Sequence, residues 1–110
     1  MTEHEIDTIG EDKSLLLVDD DEPFLRRLAR AMEKRGFEVE TAESVAGGKA
    51  IATARPPAYA VVDLRLEDGN GLDVVETLRE KRPDARIIVL TGYGAIATAV
   101  AAVKMGASDY

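Results

Sequence analysis

Three places in this 110-residue chain set oxygen-bearing side chains at the end of a short apolar run. Leu15-Leu16-Leu17-Val18 ends in Asp19-Asp20-Asp21, Ala58-Tyr59-Ala60-Val61-Val62 in Asp63, and Ile87-Ile88-Val89-Leu90 in Thr91. Carboxylates brought together repel one another, and desolvation disfavours their charge further, so stability alone gives no reason to gather them. A divalent cation reverses that balance. A few hard oxygen ligands, with room left for water and a phosphate oxygen, suit Mg2+ better than a calcium cage made wholly of protein. Acidic turns also cap helices, and Asp21 or Glu22 is placed to do so ahead of Pro23. Capping alone does not explain why Asp63 and Thr91 stand at matching run ends.

Two other segments carry less. Asp68-Gly69-Asn70-Gly71 reads as a turn with at least one positive-φ position, and Leu72 stands where an EF-hand would need a ligand. Thr91-Gly92-Tyr93-Gly94 offers a hydroxyl followed by a flexible loop.

The apolar runs fit strands buried on both faces, the pattern of a parallel sheet covered by helices. Glu38-Val39-Glu40-Thr41 alternates instead, which predicts a more exposed strand near an edge. Between these runs lie helical segments with readable ends. Pro23 suits a first helical turn, Phe24, Leu25, Leu28 and Met32 recur at helical spacing, and Gly36 follows the basic last turn of Lys34 and Arg35. Ser44 can cap a second helix through about Ala54. Gly47-Gly48 inside it costs about 1 kcal/mol per glycine relative to alanine, so this helix is expected to be soft or to pack closely. Leu72, Val75 and Leu78 mark a third helix, closed by Pro83 after Lys81 and Arg82. Ala95 to Met105 makes a fourth, stopped by Gly106. The order βαβαβαβα, then a stub, predicts an α/β fold with a doubly wound parallel sheet and right-handed crossovers. Its ligand site lies at the carboxyl ends of the strands.

Composition narrows the chemistry. The absence of cysteine excludes disulfides, thiolate catalysis and zinc-thiolate sites. No stretch approaches the ~20 apolar residues of a membrane span, and the N-terminus has acids where a signal peptide needs bases, so the expected compartment is the cytoplasm. The net charge of −7 is concentrated in residues 1–12, where Glu3, Glu5, Asp7, Glu11 and Asp12 meet no Lys or Arg. This leader, with the only histidine, His4, is expected to be solvated and disordered, with one domain over residues 13–110. The remainder is nearly neutral and lacks the basic footprint of a nucleic-acid-binding face.

Together, the acids after the first strand, Asp63, Thr91 and Gly106-Ala107-Ser108-Asp109-Tyr110 resemble the receiver domain of bacterial two-component response regulators, from about Lys13 to Tyr110. Leu66-Glu67-Asp68-Gly69-Asn70-Gly71-Leu72-Asp73 and the run from Leu90 to Val100 are similar to the RegA/PrrA/ActR branch. Members of that branch are redox-responding transcription regulators in which a receiver precedes a Fis-like helix-turn-helix. The resemblance implies a flavodoxin-like receiver topology, with Asp63 as phosphoacceptor for a sensor histidine kinase. It implies Mg2+ ligated by Asp20, Asp63 and the backbone carbonyl of Arg65, with Asp19 acting through water or hydrogen bonding. Thr91 would hydrogen-bond the phosphoryl oxygens, and Tyr110 would be the aromatic switch reporting on Thr91. Homodimerisation on phosphorylation through the fourth-helix surface is implied too, with DNA contacted only by a C-terminal effector domain outside this chain and no membrane partner. Enzymatic activity would extend at most to self-phosphorylation and autodephosphorylation.

Three rivals are weaker. Asp19-Asp20-Asp21 satisfies the Asp-x-Asp of haloacid-dehalogenase-type phosphatases, but those need a later lysine, further acids and a longer chain. A nucleotide-binding module would need a Gly-x-Gly-x-x-Gly turn where this chain has acids, which repel a pyrophosphate. A docking module that is never phosphorylated has no need of Asp20, Asp63 and Thr91 together. Two departures from the receiver pattern stand out: Glu67 occupies a position where many receivers have proline, and the sequence stops at Tyr110, before a lysine expected three residues further on. The rest of the fifth strand and the fifth helix would also lie beyond it. An exposed edge at the fourth strand is then expected to lower stability or promote non-native association, and a clean folded monomer in sedimentation would count against this.

Overall fold

A computed structural model describes residues 12–90. Residues 1–11 of the expected leader with His4, Thr91, the helix expected from Ala95 to Met105 and Tyr110 lie outside the described residues, while Asp12, the last residue of that leader, is described.

The described chain runs β1 (Ser14–Val18), α1 (Glu22–Lys34), β2 (Glu38–Ala42), α2 (Val45–Ala54), β3 (Tyr59–Asp63), β4 (Arg65–Leu66), β5 (Gly69–Asn70), α3 (Leu72–Lys81) and β6 (Arg86–Leu90). Four of the strands form one parallel sheet in the order β2-β1-β3-β6, the doubly wound arrangement that the alternation predicts. The β2 strand is an edge, as its alternating sequence indicates. The antiparallel pair β4-β5 is an addition to the expected order. Strands of two residues are too short to show a period of two, so no sequence pattern announces them.

Local chemistry sets the helix ends. The Asp21 carboxylate accepts the Phe24 N–H at 3.1 Å, with Pro23 in the first turn of α1. At the far end Gly36 has φ +94°, and the Gly36 and Phe37 N–H groups donate to the Glu33 and Met32 carbonyls. That pair of bonds is a Schellman closure, and it needs the left-handed conformation that glycine adopts without strain. Ser44 Oγ accepts the Gly47 N–H at 2.9 Å and starts α2. A Cβ placed on Gly48 would lie 3.1 Å from Val74 Cγ2 and 3.2 Å from Val18 Cγ2, so of the two expectations for this helix, close packing is realised. The helix is brought down onto β1 and α3.

The two faces of the sheet bury different halves of each strand. Leu16, Val18, Ala60, Val62, Ile87 and Val89 meet Val45, Ala52, Val74, Val75 and Leu78 of α2 and α3. Leu15 and Leu17 meet Leu25 of α1, flanked by half-buried Leu28, Met32, Phe37 and Val39. Each fully buried aliphatic side chain contributes roughly 1.5–3 kcal/mol relative to exposure. Burial on both faces holds for β1 but not for β6, which alternates and leaves Ile88 43% exposed. The reason is coverage: among the described residues α1 alone packs on that face, and it reaches β1 and β2.

Opposite the strand ends that carry the acids, Asp12 ties the start of the fold to its base. Its Oδ1 accepts from the Ser14 N–H at 3.0 Å and the Ser14 hydroxyl at 2.6 Å, while Arg82 reaches its Oδ2 at 2.6 Å. The Ser14 bonds, then Arg82, hold the Asp12 pKa at about 2. Its stabilising contribution is therefore present above the ordinary carboxylate range and lost as pH falls toward 2. No helix among the described residues is long and apolar enough to cross a membrane.

Leu78 is wholly buried between α3 and the sheet. Leu78→Ala is expected to remove about 3 kcal/mol of unfolding free energy, and Gly48→Val about 1–3 kcal/mol by overpacking, both measured by urea denaturation.

Candidate functional site

Chain order and strand order part company between β1 and β3. From β1 the chain passes to β2 on one side and returns through β3 on the other. The carboxyl ends of β1 and β3 therefore border the crevice where doubly wound sheets bind ligands. Val18 pairs with Val62, so Asp19 and Asp63 are the next residues on adjacent strand ends. Asp20 follows on the turn into α1. Asp19, Asp20 and Asp63 each bring a carboxylate oxygen within 4.8 Å of the others.

Backbone bonds fix where these carboxylates lie. The Asp19 N–H donates to the Ala42 carbonyl at 3.1 Å, and its Oδ1 accepts the Asp21 N–H at 2.9 Å. Asp21 is engaged with the first turn of α1 and is not one of the trio. Asp63 Oδ1 accepts the Arg65 N–H at 3.1 Å, and the Leu64 N–H donates to the Leu90 carbonyl at 2.9 Å. Asp63 itself pairs with Leu90, the last described residue. Thr91 and Tyr110, expected to complete the site, lie outside the described residues.

The electrostatics are those of a site built for positive charge. Desolvation raises the Asp19 pKa, and the neighbouring charges of Asp63 and Asp20 raise it further against the opposing Asp21 N–H. Desolvation also raises the Asp63 pKa, with Asp20 adding to it and the Arg65 N–H opposing. Asp19, only 9% exposed, is the sole polar residue among the buried side chains described. Three hard oxygen donors, two of them disfavoured as bare anions, fit a cation such as Mg2+. Because these folded pKa values lie above the unfolded ones, the stability they contribute is present below the ordinary carboxylate range. It is lost as pH rises through the raised values.

Gly71 is a site residue that the turn reading missed. A Cβ on it would lie 2.1 Å from the Asp63 carbonyl oxygen and 3.0 Å from Leu64 Cα. Its φ of −59° is open to any residue, so closeness and not conformation demands glycine here. Its N–H donates to the Leu64 carbonyl at 3.0 Å, which clamps the returning chain against the backbone of Asp63. The positive-φ position expected in this turn is Gly69, at +151°. The only sequence signal for Gly71 is a second glycine two residues after the first.

Residues 15–110 match the response regulator receiver domain family. The chain belongs to that family. Over all 110 residues it is 84% identical to the photosynthetic apparatus regulatory protein RegA of Rhodovulum sulfidophilum, of which it spans 60%. It is 71% identical over 104 residues to the acid tolerance regulatory protein ActR of Rhizobium meliloti, of which it spans 54%. A response regulator of Burkholderia pseudomallei, solved with a phosphorylated aspartic acid, calcium ion and citrate, is 45% identical with a TM-score of 0.86. That match covers 90% of this chain and 58% of the other. A CheY-like receiver domain from Methanospirillum hungatei is 32% identical with a TM-score of 0.85, covering 89% of this chain and 78% of that one. The RegA/ActR resemblance is thus borne out at the level of the domain: this chain is a response regulator receiver domain similar to the corresponding part of RegA and ActR, and the curated relatives it matches are longer. The phosphatase reading of Asp19-Asp20-Asp21 falls, since Asp21 serves the helix and the family is one of signal receivers. Receiver domains bind Mg2+ at an acidic cluster, and Asp19, Asp20 and Asp63 form such a group here.

Gly71→Ala is expected to remove at least about 2 kcal/mol of stability in urea denaturation, because backbone and not a side chain must move. In EDTA at neutral pH, Asp63→Asn is expected to raise the melting temperature by relieving repulsion. That gain disappears as pH falls below the raised pKa values of Asp19 and Asp63, where these two carboxyls are protonated in any case.

Proposed function

We propose that Asp63 accepts a phosphoryl group from a sensor histidine kinase, and that the resulting change switches a transcription regulator of which this chain is the receiver. The observation that carries the reading is the half-buried Asp63 at the β3 end, set beside Asp19 and Asp20 at the switch point of the sheet. A carboxylate is a competent phosphoryl nucleophile, and the acyl phosphate it forms is reactive enough to be hydrolysed later. An Asp63 carboxylate oxygen forms the new bond to phosphorus, the bond to the kinase imidazole nitrogen breaks, and that nitrogen keeps the electron pair. Asp20, Asp63 and the backbone carbonyl of Arg65 would hold Mg2+, with Asp19 acting through water or a hydrogen bond. When bound, the cation supplies charge neutralisation to the transferring group.

The chain's own residues do the positioning. The Arg65 N–H holds one Asp63 oxygen and so restricts rotation of the carboxyl group. Asp19, fixed by the Asp21 N–H, lies beside Asp63, whose charge disfavours a bare anion there, and so favours a cation at the site. Thr91 would hydrogen-bond the phosphoryl oxygens and Tyr110 would follow it, which repacks the fourth-helix surface. A small local bond then biases a two-state element. In the longer regulator that surface would govern homodimerisation, and DNA would be bound by the C-terminal effector domain. The setting is the cytoplasm, and small acyl phosphates would substitute for the kinase in self-phosphorylation, followed by autodephosphorylation.

Intact-protein mass after incubation with Mg2+ and a small acyl-phosphate donor tests this. This chain and one extended through the downstream lysine are expected to gain one phosphoryl group, and Asp63→Asn none. Modification of Asp63→Asn to the wild-type extent would overturn the assignment, and modification of neither wild-type chain would leave a docking module.

A further inference from the structure

The hairpin that follows Asp63 is held at two points. At its base, Gly71 presses on the Asp63 backbone and bonds Leu64. At its tip, between β4 and β5, the Asp68 carboxylate crosses to another element. Its Oδ1 accepts the Val45 N–H at 2.8 Å and its Oδ2 the Ala46 N–H at 3.0 Å. With Ser44 Oγ on the Gly47 N–H, the first three N–H groups of α2 are all satisfied, two of them by a residue 22 and 23 positions away. A carboxylate at this helix end also meets the positive pole of the helix dipole.

The anchorage matters because the hairpin is slight. It has two residue pairs, Arg65 with Asn70 and Leu66 with Gly69, and a lone two-stranded hairpin is marginal in water. The helix it leans on is firmly seated, since Gly48 lets α2 close onto Val18 and Val74. Gly69 adds a packing contact at the same point, where a Cβ would meet Val45 Cγ2 at 3.5 Å. What the hairpin carries is Arg65, whose N–H holds Asp63 Oδ1.

We propose that Asp68 is a positioning residue for the Asp63 site: by bonding the Val45 and Ala46 N–H groups it fixes hairpin 65–70 against α2, and with it the Arg65 backbone beside Asp63. This deepens the reading of Asp63 as a Mg2+-dependent phosphoacceptor and rests on it. Asp68 lies outside the group formed by Asp19, Asp20 and Asp63, and it acts through Arg65.

The test compares Asp68→Ala, Asp68→Asn and Ser44→Ala with the wild-type chain. Mg2+ affinity is read by calorimetry, phosphorylation rate from an acyl-phosphate donor at low and saturating Mg2+, and stability by thermal melting. Asp68→Ala is expected to weaken Mg2+ binding about tenfold, the lower end for loss of a group that orients metal ligands, and to slow phosphorylation most at low Mg2+. Asp68→Asn keeps one acceptor and should show a smaller loss in the same direction, which serves as the measurement if the alanine variant does not fold. Ser44→Ala uncaps the same helix without touching the hairpin, so it should lower the melting temperature and leave Mg2+ affinity unchanged. Wild-type affinity and rate in both Asp68 variants would overturn the inference, as would an equal affinity loss in Ser44→Ala. If the wild-type chain neither binds Mg2+ nor becomes phosphorylated, the phosphoacceptor reading has failed, and the role of Asp68 falls with it.

Discussion

Three carboxylates at the ends of β1 and β3 repel one another and are partly removed from water, and the rest of the domain is arranged to hold them there. The parallel register is what makes this possible. With Val18 opposite Val62, the next residue on each strand is an acid, and neither can withdraw without breaking the pairing. Asp19 is nearly buried and its N–H is bonded to β2, so its carboxylate stays beside Asp63 although desolvation and neighbouring charge both oppose ionisation. A site that is unfavourable by itself and favourable with a cation is one whose occupancy can be read by the fold. That is the property a phosphate switch requires.

The cores on the two faces provide the rigidity. Leu16 and Val18 face α2 and α3, Leu15 and Leu17 face α1, and β1 is therefore clamped from both sides at the strand that carries two of the acids. The third acid is secured differently. Behind Asp63 the chain makes a small hairpin and returns so closely that only a hydrogen atom fits at Gly71. The tip of that hairpin is bonded to α2, which itself lies close to β1 through Gly48. The positions of Asp19 and Asp63 thus depend on a closed set of contacts running β1, α2, hairpin, β3, and back to β1.

The legible parts of this protein were those encoded by neighbours in sequence. Pro23, Gly36, Ser44 and Pro83 mark helix ends because each acts on its own backbone within a few residues. The apolar runs announced parallel strands, and the acids at their ends announced the site. Among the described residues the expectation of burial on both faces held for β1, while β6 leaves Ile88 exposed, since a run of apolar side chains states what a strand tolerates and not which helices cover it. The β4-β5 hairpin was not legible, being too short for a period, and the turn reading of residues 68–71 stopped at backbone conformation.

The sequence by itself determined the alternation of elements, the family, and the identity of the acids, because hydrophobic periodicity, caps and residue type are local properties. Asp21 or Glu22 as the α1 cap and, by resemblance, Asp19, Asp20 and Asp63 as the acidic group were legible beforehand, but only the tertiary structure set a carboxylate oxygen of each of those three within 4.8 Å of the others. It alone showed that Gly71 serves by proximity to the Asp63 carbonyl and that Asp68 completes a helix some twenty residues earlier. The physical reason is common to all three. A hydrogen bond or a steric contact across elements depends on distances set by the packing of the whole sheet, and those distances leave no period or spacing in the chain.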